Sequence, residues 1–468
     1  MSTTPAVDGP GVEPVSPSLK AQLESALERI PVTGAHRQIV FMILLGVFFD
    51  ALEQNAVGLV GPILREQWEL DGQSLGLLNT ITFSATAVGR LLTGLLSDKY
   101  GRRTMLTINL LVFSVGGAIC ALAPTYAVLA TGRGLVGLGL GGEIAIAVIM
   151  ISEFFSTKAR GTAVGIVNVT AAGLGNMLAP AFGILVFAIF TGPDRWRYIF
   201  AALVLPALLV FWFRRYVPET PRYLVSRGKV AEANVVLNRL ASGKLKGGGA
   251  GTEHYLHVSG GAVLESENTG SLREVFAGQF RRRTAALGVA AAMSYGAQIS
   301  VLTLIPTILV AQGHSITKSL VFTLIMQSGS LVGALTASLI ARRLPRKRVM
   351  TVGAGLAFTF ALGFGFLSGN LALALLFGAL FNFSIILLNT SIWIFAPELY
   401  PTRVRGLGTA TILAIGSLSG GLFPILAGGI FDAAGIPGMF SLLAGLFVVF
   451  AIATQFTPET FGMPLDDG

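Results

Sequence analysis

GRLLTGLLSDKYGRR at residues 89–103 and GALTASLIARRLPRK at residues 333–347 each open on glycine and close on a basic pair, at an offset of 244 residues. Two further patterns recur in the same order. The spacing E-x6-R-G joins Glu153 to Arg160-Gly161 and Glu398 to Arg405-Gly406 at an offset of 245, and Pro218-Glu219-Thr220 returns as Pro458-Glu459-Thr460 at an offset of 240. Three motifs in one order at nearly one offset mark an internal duplication. A bilayer core about 30 Å thick needs roughly 20 apolar residues per helical span. Runs of that size lie at approximately 39–62, 74–96, 104–124, 126–152, 161–190, 196–216, 284–311, 317–341, 347–367, 371–396, 405–431 and 437–456. Hydrocarbon offers backbone groups no partner, and these runs are too long and too little alternating for barrel strands, so they read as helices. The predicted fold is all-α: twelve transmembrane helices in two six-helix halves, related as parallel repeats about the membrane normal, with a substrate site between them near the midplane.

Composition agrees. Only 12% of the 468 residues are charged and the mean hydropathy is +0.72, which a water-exposed surface of this size does not carry. The lipid bilayer is therefore the main partner. Cys120 is alone and inside a predicted span, which excludes an intrachain disulfide or a cysteine metal site. His36, His254, His257 and His314 fall in predicted tails or loops, so no metal site is expected at membrane depth, and no cofactor is expected. The net charge of +9 is not a nucleic-acid signature, because its distribution is one-sided. Of 33 Lys and Arg, 27 fall in the tails and the loops on their side, four (Arg65, Arg195, Arg197, Lys318) on the other, and Arg90 and Arg133 within spans. The positive-inside rule then puts both termini in the cytoplasm of an inner, or plasma, membrane. No cleavable secretory signal precedes the first apolar run, which is expected to remain as span 1.

The expected organisation is a cytoplasmic tail (1–38), a first half (39–216), a central loop (217–283), a second half (284–456) and a short tail (457–468). Residues 1–17 are too rich in Pro and polar residues to build a core and read as disordered. Leu19, Leu23, Leu27 and Ile30 share one helical face, expected to lie on the membrane surface. The central loop reads as a linker holding a helix at Lys229–Leu240 and a flexible Gly247–Gly251 run.

GRLLTGLLSDKYGRR between spans 2 and 3, RGLVGLGLGGE in span 4, the two E-x6-R-G loops and PETPRYLVSRGK after span 6 resemble the major facilitator superfamily. The similarity covers nearly the whole chain from about Leu19, and the last two groups resemble the sugar-porter branch and its organic-ion and metabolite relatives. FFDALEQNAVGLVGPIL in span 1 is closer to aromatic-acid and metabolite:proton symporters, with Asp50 and Glu53 at the two acidic positions. This resemblance implies a secondary transporter, not an enzyme, working by alternating access on a small molecule and protons, and expected to act as a monomer. It also implies that Asp98, Arg102, Glu153, Arg160, Glu219, Arg222, Glu398 and Arg405 form a cytoplasmic gate of interhelical pairs. One position departs from the pattern, since Asp98 is matched in the second half by Arg342.

A carboxylate at membrane depth costs about 2.5–3.5 kcal/mol on the lenient insertion scale, so Asp50 and Glu53 require compensation. At about 1.5 Å per residue, Glu53 lies roughly 21 Å and Arg133 roughly 20 Å from the cytoplasmic side, close enough in height to pair. That pair reads either as a proton-coupling acid with Arg133 as its control or as a permanent structural ion pair. Asp50, one turn below, reads as a second proton site or a contact for a cationic substrate. Glu143 falls about 15 Å nearer the cytoplasm than Arg133. It is expected to bind substrate, to close the vestibule or to pack helices. The glycines of span 4 favour close helix packing over a nucleotide loop, there being no preceding strand. Further substrate-binding candidates are Gln54, Asn55, Asn168, Tyr295, Gln298, Gln327, Asn389 and Trp393, with Asn382 also facing inward. Trp393 is placed either to stack on a substrate or to anchor at the interface. The glutamines of the sugar porters are replaced by Asn168 and Gly175 in span 5 and by Met293, Ser294 and Ile299 in span 7. A sugar needs several paired donors and acceptors, so a small organic acid, aromatic or monocarboxylic, is expected, taken up with protons. Proton-coupled export, a sugar or organic-cation substrate, or a non-transporting nutrient sensor are the alternatives. No Walker motif G-x4-G-K-[ST] supports an ATP-driven pump.

Overall fold

The computed structural model describes residues 18–246, 253–257, 271–341 and 343–461; the predicted disordered tail, the Gly247–Gly251 run and Arg342 lie outside the described residues. The spans are helical, as expected. Span 1 is α2 (Gly34–Gln67), preceded by α1 (Leu19–Arg29), and spans 2 to 4 are α3 (Gly72–Tyr100), α4 (Arg102–Leu122) and α5 (Tyr126–Phe154). Span 5 joins α6 (Thr157–Asn168) to α7 (Asn176–Ile189) through a π-helical segment, Val169–Gly175. Span 6 departs from a single helix: α8 (Trp196–Ala202) and α9 (Pro206–Tyr216) are separated by a turn, because Pro206 has no N–H with which to continue the ladder. After α10 (Pro221–Ser226), α11 (Val230–Ser242) and α12 (Leu272–Val275), spans 7 to 10 are α13 (Gly278–Ala311), α14 (Ile316–Ile340), α15 (Arg346–Leu367) and α16 (Leu371–Phe395). Spans 11 and 12 run on as α17 (Thr402–Gln455), bent at Gly435, where φ is +67° and glycine alone is unstrained.

Three expectations near the terminal side, the side that holds Ser18 and Phe461, are corrected. The apolar face of α1 is buried against protein instead of lying on the membrane. Leu23, Ala26, Leu27 and Ile30 join a core with Leu224, Val225, Leu237, Leu240 and Leu256 of the central segment. Gln22 fixes the contact, donating to the His257 carbonyl (3.3 Å) and accepting from its N–H (2.8 Å). The central segment is consequently a docked helical layer in its described part. His36 lies inside the first turn of α2, buried, where it accepts the Thr33 N–H at 3.2 Å.

The two halves meet chiefly on the side opposite the termini. Gly72 N–H donates to Asp432 Oδ2 (2.8 Å) and Arg65 reaches Asp432 Oδ1 (3.3 Å), tying spans 1 and 2 to span 11. Below them, a Cβ on Gly76 would fall 2.6 Å from the Pro424 carbonyl, and one on Gly58 would fall 2.0 Å from the Leu302 carbonyl. These glycines let backbones of opposite halves touch. Buried Asn79 also donates to Thr303 across the same seam.

Candidate functional site

At the heart of the first half, Arg133 and Glu53 are fully buried and joined Nη1 to Oε1. Arg133 Nε donates to Thr82 Oγ1 of span 2 (3.0 Å), and its guanidinium stands 5.9 Å from the Phe200 ring of span 6. Glu53 Oε2 and Arg133 Nη2 have no hydrogen-bond partner among the described residues. Burying a carboxylate and a guanidinium is costly even when they are paired. A proton on Glu53 would remove one of the two charges.

Asp50 and Glu143, also buried, lie within hydrogen-bonding reach of each other. Glu143 Oε1 occupies space that only a glycine at 46 leaves free, 2.6 Å from where a Cβ would stand. The pairing follows from helix direction. Side chains lean toward the N-terminus of their own helix. Span 1 starts on the terminal side and span 4 on the opposite side, so Asp50 and Glu143 lean toward each other.

Across the bundle, Trp393 Nε1 of span 10 donates to the Tyr295 hydroxyl of span 7, and one turn away Asn389 Nδ2 donates to Gln298 Oε1 (2.5 Å). These four candidates are thus brought together. Others are not: Asn55 donates to Asn176 Oδ1 (2.9 Å), Gln327 accepts from Ser330 of its own helix (2.9 Å), and Asn382 donates to the Gly378 carbonyl (2.9 Å). Gln54 is partly exposed on span 1. Asn168 precedes the π-helical segment of span 5 and Gly175 is its last residue, a distortion that often marks functional positions. Arg90 of span 2 was not among the candidates. It bridges spans 2, 4 and 11 through the carbonyls of Gly141 (3.3 Å) and Leu413 (2.8 Å) and through Ser417 Oγ (3.0 Å). A second intramembrane arginine was the signal that could have found it.

The charged motifs pair within their own halves. Arg102 meets Glu153 (3.3 Å) and, at the duplicated positions, Arg346 meets Glu398 (2.8 Å), so the second half keeps this pair although Arg342 replaces the acid. Glu219 accepts the N–H groups of Arg102 and Arg103, capping span 3, and Arg222 turns to Glu24 of α1 (3.5 Å). Both therefore serve contacts other than a pair between the halves. Burial holds the Arg160 guanidinium below its ordinary value, with Arg222 also lowering it and Glu24, Glu28 and Glu153 opposing. Arg405 donates to the Tyr400 carbonyl (3.2 Å), and the Asp98 side chain lies outside the described residues.

The sequence profile of the sugar (and other) transporter family matches residues 62–467. The chain belongs to that family. Among curated relatives of this sugar (and other) transporter family member is a niacin transporter of Acinetobacter baylyi, 29% identical over 86% of this chain and 89% of the relative. A probable 4-methylmuconolactone transporter of Cupriavidus pinatubonensis is 25% identical over 90% of each. Solved structures share the twelve-helix major facilitator fold. A D-xylose-proton symporter superposes with a TM-score of 0.70 at 21% identity, over 91% of this chain and 99% of that one. An inward open conformation of the xylose transporter XylE from E. coli gives 0.72 at 18% identity, over 92% and 98%. The family member is a multi-pass membrane transporter of small molecules and not an enzyme.

Proposed function

We propose that the chain imports a small organic acid with protons, by alternating access, with both termini and the central segment in the cytoplasm of an inner membrane. The buried Glu53–Arg133 pair carries this reading, because it couples a titratable oxygen to a counter-charge on another helix in a dry site. A carboxylate that loses its guanidinium there takes up a proton, and one that regains it releases the proton. The basic asymmetry supports the orientation. With that orientation, the closed seam at Gly58, Gly76 and Asp432 is external and the described conformation faces inward. In the opposite state the seam parts and the cytoplasmic charges of the two halves come together.

Organic acids are favoured over sugars because polar side chains that would meet several hydroxyls are occupied by one another, as in Asn389–Gln298. Similarity to transporters named for niacin and 4-methylmuconolactone, small ring compounds bearing a carboxylate, supports the same class. A proton entering down about 100 mV supplies roughly 2.3 kcal/mol, about fiftyfold accumulation, which suffices for uptake. The test is uptake into proteoliposomes under an imposed inward proton gradient. Labelled nicotinate or benzoate should accumulate, a protonophore should abolish the accumulation, and xylose should not accumulate. Protonophore-insensitive accumulation, or accumulation of xylose in place of the acids, overturns the reading.

A further inference from the structure

Arg133 has a carboxylate; Arg90, the other arginine set within a span, has none among the described residues. Its partners among the described residues are two carbonyls and one hydroxyl, neutral acceptors that leave a net positive charge inside the bundle. They engage Nε and Nη1, so Nη2 is unengaged, and the residue keeps partial exposure despite its depth. Tyr295 packs its ring against Gly416, 2.9 Å from where a Cβ there would stand, next to the Ser417 that holds Arg90. The Tyr295 oxygen accepts from Trp393, which leaves its own O–H free to donate. Tyr295 and Trp393 are likewise partly exposed.

A clamp between the halves would explain the bonds to Leu413 and Ser417. It would not explain a guanidinium with an open nitrogen beside a hydroxyl with an undirected proton, next to a tryptophan. Two donors held at neighbouring positions, one of them cationic, match the two oxygens of a carboxylate, and the tryptophan supplies a face for an attached ring. We propose that Arg90 and the Tyr295 hydroxyl form the anion subsite of the transport pathway, binding the substrate's carboxylate while its ring lies on Trp393. The proposal rests on the organic-acid reading above.

Ligand pairs that differ only in charge test it: nicotinate against nicotinamide and benzoate against benzamide, titrated by thermal shift of the full-length purified protein near neutral pH. Wild type should be half-saturated by an acid at a concentration at least tenfold below its amide. Arg90→Gln should weaken acid binding by about tenfold or more, the size of one charge-assisted hydrogen bond, and leave amide binding unchanged. Arg90→Lys, which keeps the charge, should fall between. If Arg90→Gln retains the wild-type preference for acids, the subsite is wrong while the organic-acid reading stands. If wild type itself prefers amides or binds neither acid, the organic-acid reading fails and the subsite with it. Should Arg90→Gln not fold, Tyr295→Phe removes one donor only. A loss of several-fold confined to the acids supports the subsite, and an equal loss for acid and amide overturns it.

Discussion

Glu219 holds the start of span 3 as Glu459 holds the start of span 9. Glu219 Oε1 accepts from the N–H groups of Arg102 (3.0 Å) and Arg103 (3.2 Å), and Glu459 accepts from Arg346 (2.9 Å) and Lys347 (3.0 Å). The repeated Pro-Glu-Thr is thus a helix cap supplied from the end of each half. Beside the first, Gly101 turns with φ +94°, and a Cβ there would fall 2.3 Å from Glu219 Oε2. Glu219→Ala should cost about 0.5–2 kcal/mol, seen as a lower thermal midpoint in detergent. Glu219→Gln keeps an acceptor and should cost less. Burial, outweighing its backbone hydrogen bonds, holds the Glu219 carboxyl above its ordinary value of 4.5. A raised acid contributes its stability in full below the unfolded value and loses it as pH rises through the folded one. Glu219→Gln should therefore gain on wild type as pH is raised from about 4 to 8, and a constant difference across that range would contradict the assignment.

Gly58 sets a second expectation. The Leu302 carbonyl is backbone and cannot swing aside, so Gly58→Ala should prevent the two halves from closing on the side opposite the termini. Transport should fall more than tenfold, which corresponds to about 1.4 kcal/mol or more against the closed state. A cysteine replacing buried Thr307 in a Cys120→Ser background should then react faster with an impermeant maleimide. Wild-type transport by Gly58→Ala would show that this contact is not needed for closure.

Much of this architecture was legible in the chain, for reasons that also mark the limit. Apolar length and the duplicated motifs locate the spans, because lipid leaves the backbone no alternative to the helix. Counting 1.5 Å per residue brings Glu53 level with Arg133, since the two helices run antiparallel. The same count sets Glu143 below Arg133 but does not name Asp50 as its neighbour, because it tracks Cα height and omits the opposite lean of the two side chains. Arg90 was visible as an intramembrane cation, but its partners Leu413 and Ser417 lie 323 and 327 residues away, where nothing in span 2 could name them. The face of α1 was read correctly as apolar. What covers it, a layer of the central segment in place of lipid, depends on tertiary packing that periodicity does not encode.

The Asp50–Glu143 contact can be tested by changing its chemistry at constant shape. Glu143→Gln supplies an N–H to Asp50 and should fold with near-wild-type stability. Glu143→Ala leaves a buried carboxyl without its partner and should lower stability by about 1–3 kcal/mol in a thermal or denaturant titration. Equal stability of the two variants would mean that the pair does not hold spans 1 and 4 together.

Orientation has a direct readout. A cysteine at Lys246, in a Cys120→Ser background, should be labelled by an impermeant maleimide in inverted vesicles and not in sealed cells. Labelling in sealed cells would reverse the assignment of the terminal side to the cytoplasm.

The coupling role assigned to Glu53 is the most demanding expectation, because it places the titration on one carboxylate. Glu53→Gln keeps the shape and an acceptor for Arg133 but cannot take up or release a proton. Uphill accumulation driven by a pH gradient should vanish in vesicles, while exchange of substrate between two equilibrated sides continues, since exchange needs the conformational cycle and not net proton movement. Arg133→Ala should damage both activities. It leaves the Glu53 carboxylate buried without a counter-charge, a change that typically costs about 3–5 kcal/mol for a broken buried pair, and it removes the bond to Thr82 that ties span 4 to span 2. A purely structural ion pair would give the contrary pattern, with Glu53→Gln reducing accumulation and exchange in equal proportion. Wild-type accumulation by Glu53→Gln would move the coupling proton to the Asp50–Glu143 pair, the other buried acidic site of span 1.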